Sequence, residues 1–258
     1  MSFFQSSNPT LSEKIFDKSL ALQGETQGVM SVRGTINKFG FMLLLVACAA
    51  VGTWSMFYGD NPSLAYTLTM VGLFGGLVIG LVTGFVPKIA LYTAPAYALL
   101  EGLFLGGLSA IINERFGAKM PGIVPTAVGL TLAVAFAMFL LYNFRIIKPN
   151  NTFRSIVYMG TAGLAIFYLV YFVASYFFSF NLPFMNWEDT SLLGFGITIV
   201  TIIFAALSLI LDLERIEEGA EMGLPKHMEW YCAFGLMATL VWLYIQMLKL
   251  LSRFASRD

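Results

Sequence analysis

Residues 190–212 of the chain read TSLLGFGITIVTIIFAALSLILD, and no charged residue interrupts this run before Asp212. A helix needs about 20 apolar residues to cross the hydrocarbon core of a bilayer. The run does not alternate between polar and apolar residues, as the strands of a membrane β-barrel do. It therefore predicts a transmembrane helix.

Six further runs have the same character, and mostly short segments connect them. The predicted spans cover about residues 39–58, 63–86, 89–112, 122–143, 155–180, 190–212 and 230–251. They predict an all-α integral membrane protein, a seven-transmembrane helix bundle, with its membrane domain at 37–252. We expect a polar N-terminal tail at 1–36, with a short surface helix at 12–23, and a short basic tail at 253–258. No apolar leader precedes the first span, so we expect that span to act as its own insertion signal.

The composition agrees with a membrane protein. Of the 258 residues, 58% are hydrophobic and only 12% are charged, whereas a soluble domain carries about 25% charged residues. These values exclude a soluble globular enzyme, a disordered protein and a nucleic-acid binder. With one histidine in the chain, and with Cys48 and Cys232 inside apolar runs, we expect no metal site and no cofactor.

The basic residues predict an orientation in the membrane. Ten lysines and arginines fall on the N-terminal side of the predicted spans and five on the other side. Because basic loops stay in the cytoplasm, we expect a cytoplasmic N-terminus and a C-terminus outside.

Regularly spaced glycines mark two of the predicted spans. Gly72, Gly76, Gly80 and Gly84 follow one another at intervals of four residues, and Gly102 and Gly106 repeat the spacing in the next span. Small residues let transmembrane helices approach closely, so we expect these two helices to pack tightly. The alternative is that the glycines permit sliding or hinge motion.

Two features place polar chemistry inside the membrane. Glu101 lies in the middle of the third span, where it is either a carboxyl group held for packing or a ligand for protons or cations. In the sixth span, small and polar residues recur every three or four positions and form one stripe; they include Thr198, Thr201, Ser208, Asp212 and Arg215. We interpret the stripe as the wall of a wet or proton-accessible cavity.

The densest charge in the chain lies at residues 213–230, LERIEEGAEMGLPKHMEW. Such a run is usually a solvated loop. The alternative is a cytoplasmic gate, where acidic residues attract cations and pair with Arg215 or Lys226. His227 fits an interfacial loop residue better than a pH sensor, although its usual pKa range would suit a sensor.

The segments LSLILDLERIEEG at 207–219, EWYCAFGLMATLVWLYIQMLKLL at 229–251 and PAYALLEGLFLGGLSA at 95–110 resemble the Bax inhibitor-1 / YccA-like membrane family, and most closely its bacterial branch. The resemblance implies a seven-helix bundle with a central last helix. It also implies a pH-sensitive leak of calcium or other cations, and links bacterial members to ion homeostasis or to modulation of membrane proteases.

In leak-type members of this family, an aspartate late in the sixth helix pairs with an aspartate in the seventh, and their proton-dependent hydrogen bond closes the pore. The resemblance assigns the first aspartate to Asp212. It places Thr239 at the second position, and no acidic residue occurs from Trp230 to Arg257. Without carboxylate repulsion, we expect a pH switch that is weaker, shifted towards acid, or rebuilt with Glu101 or Glu229.

The chain shows no nucleophilic or metal-hydrolysis motif, so we expect no enzyme. Our first hypothesis is an ion-leak or pH-responsive ion-homeostasis protein of a bacterial inner membrane. It uses Asp212 at the gate, Arg215 as counter-charge, Glu101 as a second acid, and the hydroxyl groups of Thr198, Thr201 and Ser208 along the path. The alternative is a non-conducting scaffold or regulator of another membrane protein, such as a protease, which binds the glycine stripes.

Overall fold

A computed structural model describes residues 28–59 and 61–257, and in this part of the chain the regular structure is helical. The seven long helices are α1 (Val32–Tyr58), α2 (Pro62–Phe85), α3 (Ala90–Phe116), α4 (Ile123–Asn143), α5 (Asn151–Phe178), α6 (Leu192–Glu221) and α7 (Met228–Arg257). Short 3-10 turns at Pro87–Ile89 and Pro183–Met185 precede α3 and α6. Each of the seven helices is long and apolar enough to cross a membrane. The predicted all-α, multi-pass fold is therefore confirmed.

Local signals account for several helix ends. The Ser31 hydroxyl accepts a hydrogen bond from the Gly34 amide at the start of α1, and the Asn150 side chain caps α5 through the Phe153 amide. These side chains satisfy amides that lack a partner within the first turn. Gly122 precedes α4 with a φ of 80°, a conformation that glycine adopts without strain.

The helices extend further than the apolar runs. α1 begins inside the predicted polar tail, α6 continues through the predicted loop to Glu221, and α7 continues through the predicted basic tail to Arg257. The extensions are charged, which is why hydropathy alone did not include them. The short helix expected at 12–23 lies outside the described residues.

The helices differ strongly in burial. Within the most apolar window of each helix, 72% of α7 is buried but only 6% of α5. α7 is therefore the most enclosed of the seven helices, in line with the expected central last helix. α5 exposes most of its apolar side chains, and these must face lipid.

The described chain divides into two compact units. The first unit contains the described residues through Ile111 together with Asp212–Ala238, and so holds α1, α2, most of α3, the end of α6 and the start of α7. The second unit contains Ile112–Leu211 and the described residues from Thr239 onward.

In the first unit, glycines bring α3 into close contact with two neighbours. A Cβ atom added to Gly72 would lie 2.6 Å from the Phe104 amide nitrogen, so α2 packs directly on the α3 backbone. Gly102 and Gly106 face α1 instead of α2, and a Cβ on Gly106 would lie 2.8 Å from the Ala50 Cα. The two glycine stripes thus serve two different contacts, whereas the spacing predicted a single one. The fourth glycine of the α2 stripe, Gly84, is buried, and its carbonyl accepts a hydrogen bond from the Tyr231 hydroxyl of α7 at 3.4 Å.

In the second unit, a fully buried arginine fixes the end of α7. Arg253 is 0% exposed; its guanidinium donates to the Asp189 carboxylate at 3.0 Å and to the Phe184 carbonyl at 2.5 Å. Gly194 leaves the space that this group occupies. Arg253 is therefore part of the packed structure and not of a solvated tail, because it finds partners in the segment between α5 and α6.

Replacement of Gly106 by leucine tests the contact between α3 and α1. We expect Gly106→Leu to lower the free energy of unfolding by at least about 2 kcal/mol, because the new side chain would overlap the α1 backbone. Gly129→Leu in α4 is the control, since a Cβ at Gly129 meets no atom within 4 Å. Thermal unfolding in detergent measures both, and equal stability of the two variants would contradict this packing.

Replacement of Asp189 by asparagine tests the buried ion pair. Asp189→Asn leaves the Arg253 charge without its anion, so we expect a loss of about 3 kcal/mol. Glu188→Gln removes the neighbouring carboxylate, whose partner Arg115 is 63% exposed, and should cost less than about 1 kcal/mol. Chemical denaturation of the two variants distinguishes these losses, and a larger loss for Glu188→Gln would overturn this interpretation.

Candidate functional site

The first unit gathers the acidic residues that are shielded from solvent. Asp212 is 5% exposed, Glu214 is buried two residues later in α6, and Glu229 is 0% exposed at the start of α7. Glu101 is half-buried in α3. Buried charges in a membrane protein are costly and mark functional positions unless partners hold them. The contacts of each group therefore decide its role.

Asp212 and Arg215 lie one turn apart on α6, as the sequence predicted. Both lie close enough to the Cys232 thiol of α7 for their charges to act on it. Both cysteines were expected to be small buried residues; Cys232 is buried, as expected, whereas Cys48 is exposed. The arrangement places a carboxylate and a guanidinium one turn apart on α6, near a buried thiol of α7.

Glu101 has one described hydrogen-bond donor, the hydroxyl group of Tyr97 one turn earlier in α3. The Tyr97 ring packs edge-on against Phe234 of α7 at 4.8 Å between centroids. Gly76 and Gly80 of α2 leave the room for this pair, since a Cβ on Gly76 would lie 3.0 Å from the Glu101 carboxylate. The glycines of α2 thus leave space for the Glu101 carboxylate and also allow α2 to pack closely on α3.

The polar stripe of α6 belongs to the second unit up to Leu211. Thr198 and Thr201 are buried, and the hydroxyl groups of Thr198, Thr201 and Ser208 each donate to a carbonyl four residues earlier at 2.8–2.9 Å. Ser208 also meets Thr161 at 3.3 Å, and Thr201 meets Tyr168 at 3.4 Å. These contacts connect α6 to α5. Thr239 is half-buried in α7 and lies in the second unit.

Glu229 is densely bonded, and the sequence named it as a member of the charged run at 213–230 and as a substitute acid. Its carboxylate accepts hydrogen bonds from the Ser31 amide and hydroxyl at 2.9 and 3.0 Å and from Lys226 at 2.7 Å. Lys38 of α1 forms a further ion pair with it. The only local signal in the sequence was the spacing of Lys226 and Glu229, because Ser31 and Lys38 lie far away along the chain.

The same contacts tie the segment before α1 to the turn between α6 and α7. The Met30 amide donates to the Leu224 carbonyl at 2.7 Å, and Val29 forms an isolated β-bridge with Pro225. The charged segment at 213–230, usually expected to be a solvated loop, is therefore largely helix followed by a short, firmly anchored turn.

His227 lies in this turn and is half-buried. Its Nε2 atom is buried without a hydrogen-bond partner. Burial, together with the nearby positive charge of Lys88, lowers the pKa of His227 below its usual 6.5. Within the described residues, no group of three or more histidine, cysteine or acidic side chains could hold a metal ion.

Neutralising Glu229 tests its structural role. Glu229→Gln would leave Lys38 and Lys226 without their shared anion, so we expect a loss of about 3 kcal/mol in the free energy of unfolding. Glu221→Gln, at an exposed position near the end of α6, should change stability by less than about 0.5 kcal/mol. Unfolding in detergent compares the two, and equal stability of both variants would rule out a structural ion-pair hub.

Comparison with known proteins identifies the family. Among curated proteins, none matches the chain. The family model described as Bax inhibitor 1 like matches residues 8–256, which is nearly the whole chain. Seven helices able to cross a membrane and a match of this length lead to one conclusion: the chain belongs to the Bax inhibitor 1 like family.

Proposed function

We propose that this protein is a cation leak channel, for calcium or a proton-coupled cation, or a pH-responsive ion-homeostasis protein of a bacterial inner membrane. In this proposal Asp212 is the carboxylate that controls the passage of ions. In this proposal the N-terminus lies in the cytoplasm, and the protein transports rather than catalyses. The observation that carries it is a carboxylate only 5% exposed, within a helix apolar enough to span a bilayer.

The chemistry follows from the neighbours of Asp212. An ionised carboxylate attracts a cation that has left bulk water, whereas a protonated one does not. Arg215, one turn away, supplies a positive charge that stabilises the ionised form when no cation is bound. A cation that reaches Asp212 must compete with Arg215, so we expect selectivity for divalent cations.

The contacts also favour one replacement for the missing second aspartate. Glu229 is held by two lysines and by Ser31, which suits a permanent anion and not a group that exchanges protons. Glu101 has a single described donor, Tyr97. We therefore assign Glu101, and not Glu229, as the second acid that takes part in a pH response.

The hydroxyl groups of α6 receive a different role in the resting protein. Thr198, Thr201 and Ser208 are bonded within their own helix, and Ser208 and Thr201 also meet α5. We assign them to the contact between α5 and α6, and they would line an ion path only after these two helices separate.

The scaffold hypothesis loses its main structural argument. It expected the glycines of α2 and α3 to face a partner protein such as a protease, but Gly72, Gly76, Gly102 and Gly106 contact neighbouring helices of the same chain. Substitution of these glycines would therefore disturb the fold before it disturbed a partner.

Calcium flux into dye-loaded liposomes tests the role of Asp212. We expect Asp212→Asn to reduce flux at least about tenfold and to flatten its dependence on pH, because the amide does not ionise and offers calcium a neutral ligand instead of a charged one. Glu221→Gln is the matched control, and it should keep the flux of the unmodified protein. Flux that is unchanged in Asp212→Asn would exclude this role, and no flux at any pH would favour the scaffold hypothesis.

A second control separates an effect of pH on ion flux from an effect of pH on the stability of the fold. Because the pKa of His227 is lowered in the folded protein, the unfolded chain binds a proton more readily, and stability falls as the pH drops below about 6.5. His227→Asn removes this contribution. A pH response that persists in His227→Asn but disappears in Asp212→Asn belongs to the carboxylate.

A further inference from the structure

The second unit contains a buried cation that the proposed function does not use. Lys249 of α7 is 7% exposed, and none of the ion pairs among the described residues includes it. Its ammonium group lies 5.7 Å from the centre of the Tyr168 ring of α5. A cation over an aromatic face gains some attraction, but the ring carries no negative charge that would neutralise it.

The neighbours of Lys249 on the same face of α7 do not neutralise it either. Arg253, one turn later, is itself a cation, and its charge is already matched by Asp189. Gln246, one turn earlier, has a buried side-chain oxygen without a donor. An uncompensated charge inside a protein is strongly unfavourable, so this cluster would strongly attract an anion that reached it, and an anion that carries a hydroxyl donor could also satisfy the Gln246 oxygen.

Tyr168, whose ring lies next to Lys249, also lines an open cleft on the surface of α5. The cleft has a volume of about 560 Å³ and is lined by Tyr168, Tyr171, Phe172, Ser175 and Tyr176. Phe172 and Tyr176 are 65% and 74% exposed, on the helix that buries least of its surface. A cleft of this composition suits a ligand with an apolar body, and its tyrosine and serine hydroxyl groups can donate to an anion.

The position along the helices fits the level of lipid headgroups. α7 has 30 residues, about 45 Å at 1.5 Å per residue, which exceeds the hydrocarbon thickness of about 30 Å. Lys249 lies near the C-terminal end of α7, and the cleft lies near the C-terminal end of α5. Tyrosines concentrate at this level of the membrane, where an ammonium group can form a charge-assisted hydrogen bond with the phosphate of an anionic headgroup.

We propose that Lys249 anchors the phosphodiester group of an anionic phospholipid, whose glycerol and acyl portions lie in the aromatic cleft on α5. The walls of the cleft favour a lipid over a soluble anion, because inorganic phosphate has no apolar body to place against Phe172 and the tyrosines. The site lies in the second unit and does not depend on whether Asp212 passes ions.

Thermal unfolding of the purified protein in detergent tests the proposal, with phosphatidylglycerol, phosphatidylcholine or inorganic phosphate added. We expect phosphatidylglycerol to raise the Tm of the unmodified protein more than phosphatidylcholine does, and phosphate to have no such effect. Lys249→Met should abolish this additional rise in Tm with phosphatidylglycerol. It should also weaken the retention of phosphatidylglycerol in native mass spectrometry about tenfold, as expected for one lost charge-assisted contact. Lys249→Arg should restore most of it.

Two further variants separate a lipid site from a tolerated buried lysine. Lys119→Met removes an exposed lysine between α3 and α4 and should keep the full excess. Ser175→Trp fills the cleft but keeps the charge of Lys249, and it should lose the additional rise in Tm with phosphatidylglycerol. If Lys249→Met keeps the phosphatidylglycerol excess, or if inorganic phosphate reproduces it, the proposal is overturned.

Discussion

The structure depends on one constraint: a charge withdrawn from water into this bundle must find its partner within the chain or in the membrane. α7, the most buried helix, meets this constraint near both ends. Glu229 near its start engages Ser31, Lys38 and Lys226, and Arg253 near its end engages Asp189 and the Phe184 carbonyl. Each group holds a connecting segment against α7, so the ionic contacts fix the ends of the helix while apolar packing fixes its middle.

Between α1, α2 and α3, close backbone contact replaces charge. Lipid gives helices no hydrophobic reason to associate, so the glycines of α2 and α3 create short contacts instead. The same glycines have a second effect, because Gly76 and Gly80 leave the space for Glu101 and Tyr97. The glycines of α2 therefore serve both the packing of α2 on α3 and the space that the acidic group of α3 occupies.

The fold was predictable from the sequence because uninterrupted apolar runs indicate transmembrane helices directly. The ends of α6 and α7 were not, since hydropathy falls where charged residues cluster, whereas the helices continue to Glu221 and Arg257. The partners of Glu229 were also hidden: Ser31 is 198 positions away, and a single sequence gives no signal for such a contact. The polar stripe of α6 predicted the wall of a cavity, and this stays a prediction; the hydroxyl group of Thr198 bonds to the preceding turn, as helical hydroxyl groups commonly do.

The number of partners distinguishes structural charges from functional ones. Glu229 and Arg253 each have several donors or acceptors in fixed positions, and to move either would break all of these contacts together. Lys249 has only an aromatic ring, so an external anion gains much by binding it. Glu101 has one described hydroxyl donor, which a proton or cation can displace at little cost. Intramembrane charges with few partners are candidates for ligand binding, and this rule directs the search for function to Glu101 of α3 and to the end of α7.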